Sequence, residues 1–171
     1  VPKPAVAGVS SKYGLSFYGY FKLDAFRDST VLSHSEIPFW VLPDQGDPSG
    51  SFDLTAKETR LGMDFAGPNA VGGELTGKIE VDFYGNINTP SNHSGNHAYH
   101  FRSRHAFLKW KRGHWTVLAG NTWEAYMVIF PQTLNFSYYN FMGQLGLRKT
   151  QLRLAHEAEG WEWVNAVLQP V

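Results

Sequence analysis

The sequence has no cysteine, no excess of either charge and no long apolar run. The absence of cysteine excludes a disulfide framework and thiol chemistry. The 15 Lys and Arg residues balance the 15 Asp and Glu residues, so no basic footprint indicates nucleic acid as a partner. No segment approaches the roughly 20 apolar residues of a transmembrane helix. A membrane protein made of strands stays compatible with these absences, because such strands alternate apolar with polar residues.

Glycine and aromatic residues are abundant, with 17 Gly and 15% Phe, Trp and Tyr, and residues 74–84 alternate almost without a fault between apolar and polar side chains. A period of two residues is typical of a β-strand with one apolar and one polar face. One face carries Leu75, Gly77, Ile79, Val81 and Phe83, and the other carries Glu74, Thr76, Lys78, Glu80 and Asp82. Residues 55–65 repeat the alternation, and the turn residues of 66–73 predict a hairpin. If the residue numbers of each cross-strand pair add up to an even number, the polar faces of the two strands coincide. Arg60 then lies opposite or diagonal to Glu80.

The same reasoning predicts seven antiparallel strands, preceded by a Pro/Ala-rich linker over residues 1–12. The predicted strands cover residues 13–28, 55–65, 74–84, 98–110, 114–122, 148–156 and 162–169. The connections between them alternate long and short, and long loops at one end with tight turns at the other are typical of outer-membrane barrels. The predicted fold is therefore an all-β, antiparallel up-and-down transmembrane barrel over residues 13–171. Strands of about 10 residues suit a tilted bilayer crossing.

The cost of burying charge in lipid decides the polar face of the fourth strand. Arg102 and Arg104 would each cost roughly 2–4 kcal/mol near the bilayer midplane, so both are expected to face water. Phe107 then faces outward, and an even pairing sum brings Gly120 near Arg104. These two arginines have few acids near them in the sequence. Replacing both by Glu is therefore expected to shift selectivity towards cations with little loss of stability.

In the last hairpin, pairing Leu154 with Val164 and Leu152 with Ala166 puts Arg153 beside Asn165 on the polar face. Arg148 is an odd number of residues from Arg153, so alternation puts it on the other face of the strand. It is therefore expected at a rim of the barrel. Four tryptophans lie around two of the short turns, as an interfacial girdle requires. They are Trp110, Trp115, Trp161 and Trp163.

Five segments together resemble trimeric outer-membrane porins of the DcaP-like type. They are GYFKLDA at 19–25, RLG at 60–62, GKIEVDF at 77–83, RSRHAF at 102–107 and LAGNTW at 118–123. The resemblance extends from Tyr13 to about Arg153 and rests on the order and spacing of these segments. It implies a polar pore for small organic anions such as dicarboxylates, and a homotrimer in a Gram-negative outer membrane with its lipopolysaccharide. Such barrels have about 16 strands, so the seven predicted here are expected to be the N-terminal portion of a larger barrel.

Charged residues on the predicted polar face are the expected pore-lining and solute-binding residues, because fixed charges set selectivity. They are Lys22, Asp24, Glu58, Arg60, Lys78, Glu80, Asp82, Arg102, Arg104 and Arg153. An alternative role for each is an ion pair that stiffens the wall. The aromatic segment 123–146 is expected to constrict the lumen, to cap its mouth or to pack against a neighbouring subunit.

The sequence predicts no enzyme, cofactor or metal. His93, His97 and His100 lie close together but without a carboxylate in the same run, and a metal site is not expected there. Two alternatives stay open. One is a soluble β-sandwich or barrel that binds carbohydrate through its Trp and Tyr residues. The other is an outer-membrane barrel enzyme, for which Ser103 and His105 are the best nucleophile and base, although both are expected on the lipid face.

Overall fold

The computed structural model describes residues 13–32, 40–43, 50–85, 99–125 and 147–158, and the backbone of 161–168. All regular elements in this part of the chain are strands. They are β1 (Gly14–Tyr20), β2 (Asp24–Asp28), β3 (Ser51–Thr55), β4 (Arg60–Ala66), β5 (Glu74–Asp82), β6 (Arg102–Arg112), β7 (Trp115–Trp123), β8 (Arg148–Ala158) and β9 (Trp161–Leu168). No helix among the described residues is long and apolar enough to cross a membrane.

Seven of the strands form one antiparallel sheet in the order β1-β4-β5-β6-β7-β8-β9, and β2 pairs with β3 in a separate two-stranded sheet. The fold is all-β and antiparallel, as the sequence predicts. Connections 29–50, 83–101 and 124–147 are long, whereas 67–73, 113–114 and 159–160 are short. Because successive strands run in opposite directions, the long connections all lie at one end of the strands and the short connections lie at the other end.

The predicted first strand is interrupted rather than continuous over residues 13–28. Residues 21–23 lie opposite 56–59, since Tyr20 pairs with Arg60 and Asp24 pairs with Thr55. Three residues thus face four, and an unequal count of this kind breaks the ladder as a bulge does. Thr59 bridges the gap, because its hydroxyl accepts a hydrogen bond from Lys22 N at 3.1 Å and lies 3.3 Å from Lys22 O. β3 (Ser51–Thr55) lies almost wholly before residue 55, where the second strand was predicted to begin.

A second bulge lies in β6 and changes the predicted faces. Glu80 pairs with His105 but Val81 pairs with Ser103, which leaves Arg104 as an extra residue. Phe107 pairs with Lys78 and therefore lies on the polar face, so its predicted outward position is wrong. Gly120 pairs with Phe107 rather than lying opposite Arg104. The sequence-based register failed here because a bulge shifts parity by one without any signal in the alternation.

A third irregularity, between Leu154 and Ala155, shifts the last hairpin. Leu154 pairs with Ala166, and Arg153 pairs with Val167 instead of lying beside Asn165. The predicted pairs were therefore wrong by two residues. Leu152 pairs with Leu168 instead of Ala166, and a shift of two residues leaves it on the predicted face.

The burial pattern of the described residues is the reverse of that of a water-soluble domain. Only Tyr84, Leu118 and Ala155 are buried apolar side chains. The buried polar and charged residues are more numerous: Thr55, Thr59, Glu80, Asp82, Arg104, Thr122, Glu124 and Gln151. Large apolar side chains are exposed instead, among them Phe17 (76%), Phe52 (70%) and Ile79 (51%). We call the side with Lys78, Glu80 and Asp82 the polar face, and the side with Ile79, Val81 and Leu108 the apolar face.

Aromatic side chains mark both ends of the apolar face. Near the short connections, Trp110 donates a hydrogen bond from Nε1 to Ala70 O at 2.7 Å, and the ring centroids of Trp115 and His156 are 4.5 Å apart. Near a long connection, the Phe83 ring lies 5.0 Å from Phe101. The side chains of Trp161 and Trp163 lie outside the described residues, so the predicted girdle is tested only in part.

Candidate functional site: the charged polar face

Glycine lets charge partners meet across three strands. Gly62 of β4 pairs with Tyr18 on one side and with Glu80 on the other. The Tyr18 ring lies over Gly62, and its hydroxyl donates to Glu80 Oε2 at 2.8 Å. The same hydroxyl accepts from Lys78 Nζ at 3.1 Å, and Lys78 Nζ is also 3.1 Å from Asp64 Oδ1. Polar side chains of β1, β4 and β5 are therefore connected directly, in addition to their backbone ladder.

The β6 bulge brings two arginines onto two carboxylates. Arg104 Nε donates to Glu80 Oε1 at 2.6 Å, and its Nη1 donates to Asp82 Oδ2 at 3.0 Å. Arg102 Nε donates to Asp82 Oδ1 at 2.8 Å, and Arg102 Nη2 also contacts Oδ2. The side chain of Asp82 is fully buried and that of Arg104 is 5% exposed. Charge-assisted and bidentate hydrogen bonds of this kind are strong and fix both partners in place.

This cluster differs from the expectation that Arg102 and Arg104 have few acids near them. The acids come from β5, which is adjacent in space but some 20 residues earlier in the chain. Two guanidinium groups face two carboxylates, so the cluster is close to neutral as a unit. The positive charge that would attract an anion must then come from other cations of the polar face.

Lys22, Asp24, Glu58 and Arg60 form a second group at the interruption between β1 and β2. Lys22 Nζ contacts Glu58 Oε2 and lies 3.3 Å from Asp24 Oδ2. Arg60 Nη2 is 3.9 Å from Glu58 Oε1, and its guanidinium lies 5.5 Å from the centre of the Tyr20 ring. The buried Nε of Arg60 has no hydrogen-bond acceptor among the described residues. The sequence placed these residues on one face, and the structure brings them into one cluster.

Arg153 lies further along the sheet, on β8. Its Nη2 donates to Gln151 Oε1 and to Trp123 O, both at 2.7 Å. Buried Gln151 donates in turn from Nε2 to Thr122 O at 3.1 Å and to Trp123 O at 3.0 Å. These contacts tie the side chains of β8 to the end of β7.

The sequence did not identify Arg148 or His105 as residues of the polar face. The Arg148 guanidinium lies 4.7 Å from the centre of the Trp123 ring, which is 6.4 Å from the His105 ring. His105 Nδ1 is 2.9 Å from Thr122 Oγ1, whereas Ser103 lies on the apolar face beside Val81. Ser103 and His105 thus lie on opposite faces and do not form a nucleophile and base pair. The bulge at Arg104 places the two residues on different faces, and no pattern in the sequence indicates this bulge.

Several sequence predictions fall outside the described residues. They include the linker 1–12, most of the aromatic segment 123–146, and His93 and His97. Among the described residues, no group of three or more His, Cys, Asp or Glu side chains is arranged to hold a metal ion.

No protein-family model matches this sequence, and no curated protein matches it. Among solved structures, the chain is similar to the crystal structure of the outer membrane channel DcaP of Acinetobacter baumannii, with a TM-score of 0.64 and 28% sequence identity. The similarity covers 89% of this chain and 40% of that channel, so the chain spans less than half of the channel's length. It supports a DcaP-like porin fold.

Proposed function

We propose that this chain forms part of the wall of a passive outer-membrane channel for small hydrophilic solutes, in particular organic anions such as dicarboxylates. One observation carries the proposal: large apolar side chains cover one face of the sheet, and ion-paired polar groups are buried on the other. A sheet in water would hide its apolar face against a second layer. A barrel wall does the opposite, with lipid outside and a polar interior.

Two further features support the membrane setting. Aromatic residues flank the apolar face at both ends, where a barrel meets the two interfaces of the bilayer. The long connections all lie at the same end of the strands, as the loops on the outer side of an outer-membrane barrel do. The similarity to an outer membrane channel agrees with both.

The proposed mechanism involves no chemical step. Solute moves down its gradient along the polar face, where fixed charges lower or raise the barrier for each ion. The pore-lining residues are the charged residues of the polar face, from Lys22 on one side to Arg153 on the other. Because Arg102 and Arg104 are neutralised by Asp82 and Glu80, the anion preference rests on cations with weaker or no carboxylate partners. We also propose a homotrimer, in contact with lipid and lipopolysaccharide.

Conductance in a planar lipid bilayer tests this function. The purified native-length protein is added to one side, and single-channel current and the reversal potential in a salt gradient are measured. Discrete steps in groups of three, an anion-favouring potential and measurable succinate current are the expected results. A correctly folded protein that gives no steps would overturn the channel. A cation-favouring potential would overturn the anion preference alone, and single unrelated steps would overturn the trimer.

A further inference from the structure

We propose that Arg148, held against Trp123, is a binding residue for the carboxylate group of an anion on the polar face. This inference rests on the proposed channel function and adds a specific site to it. The observations that carry it are the contacts of Arg148, the charges around it and the composition of the adjoining chain.

The hydrogen bonds of Arg148 are incomplete. Its Nη1 is buried, and no described residue accepts a hydrogen bond from it. No carboxylate of the described residues forms an ion pair with it, in contrast to Arg102 and Arg104. Buried guanidinium donors nearly always have acceptors. In this proposal, a carboxylate oxygen of the bound anion is the missing acceptor.

Two acidic residues of this part of the structure already have partners. Asp82 is held by Arg102 and Arg104. Glu124 lies 3.2 Å from Lys149 Nζ and accepts a hydrogen bond from Leu147 N at 2.8 Å. Residues 126–146, which connect β7 to β8, contain no Asp or Glu in their sequence. The chain next to Arg148 therefore offers no spare acid to neutralise it.

Three cations, Arg104, Arg102 and Arg60, lie close enough to repel Arg148, and Asp82 is the acid that attracts it. Arg102 and Arg104 are themselves paired with carboxylates, so only part of their repulsion remains. An anion that binds at Arg148 relieves this repulsion, so the site favours a negative ligand over water. This distinguishes Arg148 from Arg60, which has Glu58 within 3.9 Å.

The contact with Trp123 restrains the guanidinium. Arg148 Cζ lies over the Trp123 ring at 4.7 Å from its centroid, which is the separation of a cation–π contact. The planar set of N–H donors of an arginine matches the two oxygens of a carboxylate. A lysine at this position would keep the positive charge but would lose the paired N–H donors of the guanidinium.

Two measurements on the native-length protein in detergent or bilayers test the site. Isothermal titration with succinate reports binding without any conduction, and block of single-channel chloride current by succinate reports binding in the pore. Arg148→Gln is expected to weaken both at least tenfold, since hydrogen bonds to charged groups have this magnitude. Arg148→Lys should give an intermediate affinity with a nearly unchanged reversal potential. Trp123→Leu should weaken binding with the charge kept.

Lys111→Gln is the matched control, because it removes one positive charge from the edge of the short connections, where Lys111 is paired with Glu157 at 3.0 Å. Its succinate affinity should equal that of the unmodified protein. Should Arg148→Gln not fold, the Arg148→Lys and Trp123→Leu variants decide the question. Unchanged succinate binding in Arg148→Lys and Trp123→Leu, or no binding to the unmodified protein, overturns this inference. Succinate binding that depends on Arg148 in a protein without conductance would retain the site and overturn the channel.

Discussion

Tyr18 donates a hydrogen bond to Glu80 across an intervening strand, at 2.8 Å, by lying over Gly62. A Cβ atom at Gly62 would lie only 2.2 Å from Tyr18 Cζ. Any residue larger than glycine at this position would therefore displace the Tyr18 ring. A glycine that looks like a gap in the strand alternation is therefore the position over which the charge network passes from β1 to β5.

A double-mutant cycle measures this dependence. Gly62→Ala is expected to lower the free energy of unfolding in the unmodified protein and to have a smaller effect in a Tyr18→Ala background, because the clash partner is gone. Coupling between contacting residues is typically about 0.5–3 kcal/mol. Denaturant unfolding in lipid vesicles measures it. Additive effects of the two changes would show that the ring does not lie over Gly62. Tyr18→Phe, which loses only the hydrogen bond, should cost about 1 kcal/mol.

Arg104→Gln tests whether the buried cluster is structural. It leaves Glu80 without its guanidinium and Asp82 with only Arg102, and removal of one partner from a buried pair costs about 3–5 kcal/mol. The sequence-based expectation that charge reversal at Arg102 and Arg104 would cost little stability is replaced by this larger loss. Lys111→Gln is the control, since the Lys111 and Glu157 side chains are both about half exposed and such pairs contribute little. Equal unfolding midpoints for the two variants would contradict a structural role for the cluster. Adding Glu80→Gln to Arg104→Gln should recover part of the loss.

Ile79→Lys tests whether the apolar face meets lipid. Ile79 is half exposed near the middle of β5, and a lysine at the bilayer midplane costs roughly 2–4 kcal/mol. Val71→Lys is the matched change in the short connection, where Val71 is 83% exposed and expected outside the hydrocarbon region. A large loss of stability in vesicles for Ile79→Lys and a small one for Val71→Lys are expected. If both variants match the unmodified protein, the apolar face does not lie in a membrane, and the soluble carbohydrate-binding alternative gains support.

The sequence predicted the strands and their polar faces wherever alternation was uninterrupted. The β4–β5 hairpin shows this, because Gly62 pairs with Glu80 at the predicted even sum, which places Arg60 near Glu80. Alternation is a local signal, and the turn between these strands preserves it. Chain order also predicted the neighbours within the sheet. β2 lies within the predicted first strand, whereas its separate pairing with β3 was not predicted.

Predictions failed where one strand has a residue more than its partner. The extra residue at Arg104 moved Phe107 to the polar face, and the irregularity at Leu154 moved Arg153 away from Asn165. A bulge is stabilised by contacts between strands that are distant in sequence, such as those of Arg104 with Glu80 and Asp82. The contact of Arg148 with Trp123 was missed for a related reason, because it joins the two ends of a long connection.

The bulge at Arg104 also makes this point of β6 tolerant of a change in chain length. Arg102 and Ser103 pair with Asp82 and Val81, and His105 pairs with Glu80, so loss of the residue between them would close the ladder into regular pairing. The strand on either side would keep its partners. A deletion at Leu108 would instead turn one part of β6 onto the wrong face. Loss of Arg104 would therefore keep the strand register but remove a buried partner of Glu80 and Asp82. Such a variant separates the register from the charge cluster, and it is expected to lose about as much stability as Arg104→Gln, roughly 3–5 kcal/mol.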